Sequence, residues 1–165
     1  MTVEVRDAST DDLIGCHSCL EAVAREGRWL SRLNAPPIKQ YTAFVSGLRA
    51  ANAPQIVAVE DRVVGWCDIA PGAVPFRTHV GSLGMGLIAT HRGQGLGQRL
   101  LSLAIERARQ RQLERVELSV LHDNDPARAL YQRFGFQIEG RRARDWRHEG
   151  RYRDSILMAL DISDR

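Results

Sequence analysis

Thr90-His91-Arg92-Gly93-Gln94-Gly95-Leu96-Gly97-Gln98 is the stretch on which the reading of this chain turns. It stands between a segment that reads as a strand and a strongly amphipathic helix. Three glycines in five positions allow a tight turn and leave consecutive N–H groups exposed. The first N–H groups of the following helix have no intrahelical partner, and the helix dipole is positive there. Turn and helix start together form an anion cradle suited to phosphate or pyrophosphate, with Arg92 adding a positive charge at its edge. A mononucleotide loop would need Gly-Lys-Ser/Thr at the start of the helix. Here Gln98 and Arg99 follow Gly97, so that reading fails. A dinucleotide fingerprint needs glycines spaced one and then two residues apart. From Gly93 the third position is Gln98, and from Gly95 it is Leu100, so that fails too. What remains is another phosphate-bearing ligand, or a glycine-rich turn with none.

Before this stretch, Val3 to Arg6 alternates like a strand. Ser9 or Thr10 can cap a helix whose apolar positions are Leu13, Cys16, Leu20, Val23 and Ala24, closed by Gly27. Tyr41, Phe44, Val45 and Leu48 predict a second helix, ended by Asn52-Ala53-Pro54. Gln55 to Glu60 and Val63 to Ile69 read as strands joined at Asp61-Arg62. Thr78 to Ala89 is extended and rich in glycine, which predicts a bulge or a close backbone approach. After it, Leu96 to Gln112 is a helix with Leu100, Leu101, Leu103, Ala104 and Ala108 on its apolar side. Val116 to Leu121 is a strand, and Pro126 to Phe134 a short helix ended by Gly135. Phe136 to Arg144 and Tyr152 to Leu160 read as two last strands around a polar hairpin. The order β-α-α-β-β-β-α-β-α-β-β predicts one mixed α/β sheet with helices on its faces.

Composition narrows the class. The chain has 165 residues, 44% of them hydrophobic and 26% charged, as in an ordinary globular domain. Cys16, Cys19 and Cys67 are too few and too scattered for a disulfide scaffold, so a reducing, cytoplasmic setting is expected. No apolar run approaches the roughly 20 residues of a membrane helix. All of the 23 basic residues but Lys39 are arginines, and the net charge is +3. Acids interleave the arginine-dense stretches, so a solvated surface is expected rather than a nucleic-acid face. Cys16-His17-Ser18-Cys19 lacks a second ligand pair, so no metal is expected.

Arg92-x-x-Gly95-x-Gly97 resembles the acetyl-coenzyme A (acetyl-CoA) signature of the GCN5-related N-acetyltransferase (GNAT) family. Val116 to Val120 looks like that family's fifth strand. Asn124-x-x-Ala127-x-x-Leu130-Tyr131-x-x-Phe134-Gly135-Phe136 looks like its next helix and exit. Gly150-x-Tyr152-x-Asp154-x-x-Leu157-Met158-Ala159 resembles its last strand. The resemblance spans about residues 55 to 160. It implies a single N-acetyltransferase domain over 1–165: a mixed, mostly antiparallel sheet of six to seven strands flanked by about four helices. Residues 1–54 would supply acceptor-side helices and 55–160 the acetyl-CoA-binding core.

The resemblance also implies roles. Met85, Leu87 and Ala89 would run along the pantetheine. Amides from Arg92 through Gly93, Gln94, Gly95, Leu96 and Gly97 to Gln98 would hold the pyrophosphate. Asn124 would hydrogen-bond the pantetheine, Ala127 would lie against the cofactor, and Tyr131 would stand by the thioester sulfur. Arg128 or Arg133 could reach the nucleotide end. Direct acyl transfer needs a neutral amine, a polarised carbonyl and a protonated leaving group. An N–H near Leu87 suits the carbonyl, and the Tyr131 phenol suits the departing thiolate. Many relatives carry a glutamate in the strand before the glycine turn. Ser82 to Ile88 has no acid, which leaves Glu117, His79, His122 and Asp68 as candidate bases, or a water chain. Trp29, Leu30, Arg32 and Asn34 on the early side, and Trp146, Arg147, His148 and Tyr152 on the late side, are candidates for the acceptor site. The expected partner is a small amine such as an amino acid or an amine-bearing toxin, with neither nucleic acid nor membrane involved, and a homodimer is open. A protein N-terminus or lysine is the alternative acceptor, and a non-catalytic acyl-CoA-binding regulator the remaining alternative.

Overall fold

Pairing and patterning together explain the architecture. The computed structural model describes residues 2–164. Seven strands form one sheet: β1 (Glu4–Asp7), β2 (Gln55–Val59), β3 (Val63–Pro71), β4 (Val80–Leu87), β5 (Arg115–Leu121), β6 (Gln137–His148) and β7 (Arg151–Asp161). Their spatial order is β1-β2-β3-β4-β5-β7-β6. Four helices accompany them: α1 (Leu13–Arg25), α2 (Ile38–Ala50), α3 (Leu96–Gln110) and α4 (Asp125–Arg133). The mixed, mostly antiparallel sheet and its four helices are those expected from the sequence.

Alternating side chains divide the sheet between two apolar layers. Ile56 and Ala58 of β2 pack with Leu100, Leu101, Ala104 and Ala108 of α3 and Tyr131 of α4. Val57, from the same strand, packs with Cys16 and Cys19 of α1 and Tyr41 and Val45 of α2. A period of two on the strands therefore puts α1 and α2 on one face and α3 and α4 on the other. Cys16 and Cys19 are packing residues, and burial pushes both thiols up to about 12. Among the described residues no group of His, Cys, Asp or Glu is placed to hold a metal ion. Nor is any described helix long and apolar enough to cross a membrane.

One pairing differs in kind. β4 and β5 run parallel, with α3 as the crossover a parallel neighbour requires. They pair over Val80–Arg115, Gly81–Val116 and Ser82–Glu117 only. Beyond Ser82, β4 stays with β3 as far as Leu87, and β5 stays with β7 as far as Leu121. Each strand follows its antiparallel partner, so the two part and the sheet opens between them.

Candidate active site

The parting creates a cleft of about 510 Å³ lined by both strands, the glycine turn, α4, and Trp29, Leu30 and Trp146. Its walls follow from the register. The Ile88 N–H donates to the Val64 carbonyl at 3.0 Å and the Gly72 N–H to the Val80 carbonyl at 2.8 Å. Paired and outward-facing residues alternate along an antiparallel strand. The main-chain groups of even-numbered β4 residues therefore face β3. Those of Leu83, Met85 and Leu87 face the side from which β5 has departed.

The turn after β4 is built to expose donors. Gly93 and Gly95 take φ of +72° and +77°, a region that costs other residues about 1–2 kcal/mol. Among the described residues nothing lies within 4 Å of where a Cβ would stand on either. The N–H groups of Gly93, Gln94, Gly95, Leu96, Gly97 and Gln98 have no hydrogen-bond acceptor among the described residues. They sit at the positive start of α3, whose own bonding begins with Arg99 N–H donating to the Gly95 carbonyl at 3.2 Å. Open space, free donors and a helix dipole fit a diphosphate.

The side chains of the turn take different work. The Gln94 side chain donates to the Thr90 carbonyl at 3.0 Å. The Leu96 side chain is buried in the core, and Ala89 sits in a 3₁₀ turn outside the cleft lining. Arg92 departs most from the sequence reading, which gave its guanidinium to the anion. That group grips Glu26 through two bonds of 2.9 and 2.6 Å, and its Nε donates to the Leu87 carbonyl at 2.9 Å. The Arg92 N–H already donates to Ala89, at 3.4 Å. Glu26 also accepts from Trp29 Nε1 at 2.8 Å, and the Trp29 ring lies near the guanidinium carbons of Arg28 (4.4 Å) and Arg92 (5.6 Å). Arg92 thus ties the glycine turn to the segment after α1 and fixes an aromatic wall of the cleft. The Arg92 contact holds the Glu26 carboxyl below its ordinary value.

On α4, Asn124 is the N-cap, its Oδ1 accepting from the Ala127 N–H at 3.4 Å. It caps and also lines the cleft, so the two readings of this residue are compatible. Ala127 and Tyr131 line the same wall. Tyr131 stacks at a tilt on Phe136, with centroids 5.6 Å apart. Its hydroxyl has no hydrogen-bond partner among the described residues, and burial pushes the phenol well above its usual value. Arg133 reaches the lining, whereas Arg128 donates to the His122 carbonyl at 2.7 Å.

The candidate bases separate clearly. Arg77 binds Glu117 at 2.6 Å, His79 is exposed, and His122 Nδ1 is held by the Asp154 main chain at 3.2 Å. Asp68 has no side-chain hydrogen-bond partner among the described residues and, unlike the exposed His79, is largely buried. Of the acceptor-side candidates, Trp29, Leu30 and Trp146 reach the cleft, while Arg32, Asn34, Arg147, His148 and Tyr152 do not. Tyr152 instead stacks under Arg144 at 3.9 Å on the hairpin. Gly84, Gly86 and Ser119 line the cleft but were not singled out from the sequence. The glycine-rich pattern of β4 was the available signal for the first two.

Comparisons with known proteins identify the family and the fold. The pattern of the Acetyltransferase (GNAT) family matches residues 12–136. The sequence is 27% identical to the L-amino acid N-acetyltransferase AaaT of Escherichia coli (strain K12) over 157 residues, 94% of this chain and 88% of that protein. It is 38% identical to the N-alpha-acetyltransferase RimI of Mycobacterium tuberculosis over 90 residues, 54% of this chain and 52% of that protein. The fold matches yncA from Salmonella typhimurium, solved with its cofactor acetyl-CoA, at a TM-score of 0.91 and 17% identity. That match covers 100% of this chain and 96% of that one.

Proposed function

The chain belongs to the acetyltransferase (GNAT) family, and from that premise we propose that it moves an acetyl group from acetyl-CoA to the primary amine of a small molecule, an amino acid or an amine-bearing toxin. The observation that carries this is the opening between β4 and β5, with free N–H groups at one end. In this reading residues 55–160 form the acetyl-CoA-binding core and residues 1–54 contribute the acceptor side. The N–H groups of Gly93, Gln94, Gly95, Leu96, Gly97 and Gln98 hold the diphosphate. Outward-facing main-chain groups of Met85 and Leu87 pair with the amides of the pantetheine. Asn124 retains an amide N–H₂ for the same arm, and Ala127 lies against it.

The chemistry is direct attack. The amine nitrogen forms a bond to the thioester carbon, the carbon–sulfur bond breaks, and the sulfur takes a proton from Tyr131. A preorganised N–H near Leu87 stabilises the charge that develops on the carbonyl oxygen. Burial keeps the Tyr131 phenol protonated throughout the neutral range.

An amino-acid-sized acceptor is supported by likeness to AaaT along nearly the whole chain and by the compact wall of Trp29, Leu30 and Trp146. Likeness to RimI over about half the chain favours the second reading, a protein N-terminus. Thiol release from acetyl-CoA, measured against a panel of L-amino acids, their sulfoximine and sulfone analogues, and peptides, separates the two. Turnover at least tenfold higher with free amino acids is expected. Preferential turnover of peptides would transfer the assignment to protein substrates, and acetyl-CoA binding without thiol release would leave only a regulator.

A further inference from the structure

The glutamate that many relatives carry in this strand has no counterpart in β4, but the neighbouring β3 carries an acid, Asp68. In the β3–β4 register Asp68 lies directly opposite Gly84, and directly opposed residues project to the same face of a sheet. A Cβ on Gly84 would stand 3.4 Å from Asp68 Oδ1. The carboxyl therefore leans over the glycine, on the α1–α2 face. Gly84 lines the large cleft, while Asp68 also borders a small cavity of about 30 Å³ behind it, lined by Ser9, Asp12 and Tyr41 among others. The charged and titratable groups around that carboxyl are Asp12 and Cys16 from the α1 side, Tyr41 and Arg49 from α2, and Cys67 beside it.

We infer that Asp68 is the general base of the acetyl transfer, reaching the acceptor amine across the space that Gly84 leaves open. This rests on the acetyltransferase reading and extends it to the proton. An amine N–H proton passes to Asp68 as the nitrogen bonds to the thioester carbon. The carbon–sulfur bond breaks and the sulfur takes the Tyr131 proton, giving one amide and one thiol. Asp68 then releases its proton to solvent, for which the small cavity has room for about one or two waters, and Tyr131 is reprotonated. Base and acid stand on opposite faces of the parted sheet, Asp68 towards α1 and α2, Tyr131 towards α3 and α4. One meets the incoming nitrogen and the other the departing sulfur. Desolvation raises the Asp68 carboxyl to about 7, which suits a base working near neutrality.

The test uses the full chain and the best acceptor from the thiol-release panel. Asp68→Asn is expected to lower kcat/KM by about 10²- to 10⁴-fold at pH 7, to abolish the rise of kcat/KM through about pH 7, and to leave the acetyl-CoA dissociation constant within about threefold. Asp68→Glu should recover part of the loss. Wild-type turnover in Asp68→Asn, with its pH rise intact, overturns the proposal while leaving the acetyltransferase reading standing. If the asparagine variant fails to fold, carbon-13 titration of the wild-type aspartate carboxyls decides independently of any acceptor. One carboxyl titrating near pH 7 supports the assignment, and none titrating above about 5 overturns it.

Discussion

Tyr131 and Asp12 show how much one side chain's surroundings decide. Both are largely buried, yet they serve opposite ends. The Tyr131 hydroxyl is left without a partner at the cleft wall, an arrangement that costs stability unless the group is used. Tyr131→Phe removes only that oxygen. It should lower kcat by at least about 100-fold and change the acetyl-CoA dissociation constant less than about threefold, read by single-turnover kinetics and calorimetry. Asp12 is fully engaged. It takes two bonds from Arg6, at 2.7 and 3.0 Å, and one from the Ser9 N–H at 2.7 Å. The Arg6 guanidinium, helped by Ser9 and opposed by burial, holds this carboxyl down at about 2. In the unfolded chain it returns to about 3.9. The stabilisation is therefore complete above about pH 4 and is lost as the pH falls towards 2. Asp12→Ala should cost about 2 kcal/mol at pH 7, with a correspondingly flatter acid limb in urea melts between pH 4 and 2.

Among the elements, the turn between β4 and α3 joins sequence most directly to function. Its positive φ angles are strained for any residue but glycine. The same backbone shape leaves six N–H groups, Gly93 to Gln98, without acceptors among the described residues. Gly95→Ala should lose about 1 kcal/mol of stability and weaken acetyl-CoA binding at least tenfold, because the new methyl stands in the space before those donors. Gly150, in the β6–β7 turn, also has a positive φ, +75°, and nothing within 4 Å of its Cβ position. Gly150→Ala should lose similar stability with no change in affinity. If both variants bind acetyl-CoA equally well, the turn is not the diphosphate site. Arg92 extends the element outward, since its bonds to Glu26 and Leu87 join the turn, β4 and the segment after α1.

For the whole molecule, what matters is that the opening runs between the two faces of one sheet. α1 and α2 cover one side of it, α3 and α4 the other. A ligand that binds across it bridges β4, α3 and α4 and stabilises only the folded state. At a hundred times its dissociation constant, acetyl-CoA should contribute about 2.7 kcal/mol, which for a chain of this size is a rise in Tm of roughly 5–10 °C. Scanning calorimetry with and without the ligand checks this. A shift below about 1 °C at saturating concentration would contradict the proposed site.

The sequence by itself determined the features that depend on near neighbours in the chain. The glycine turn, the cap at Asn124, the amphipathic α3 and the alternating strands follow from local geometry and a period of two or 3.6. Main-chain bonding in those elements is settled within a few residues, so the donors of Gly93 to Gln98 could be picked out directly, whereas the cofactor roles of Asn124, Ala127 and Tyr131 were implied only by the resemblance of their stretch to the family pattern. Only the tertiary structure decided where distant segments meet. Glu26 neutralises Arg92 from 66 residues away, a contact no local pattern encodes. Asp68 looked no better than three other acids and histidines until β3 laid it over Gly84. The opening itself arises because β4 and β5 are each held more extensively by an antiparallel partner than by one another. That balance is a competition among long-range pairings, and a linear chain does not display its outcome.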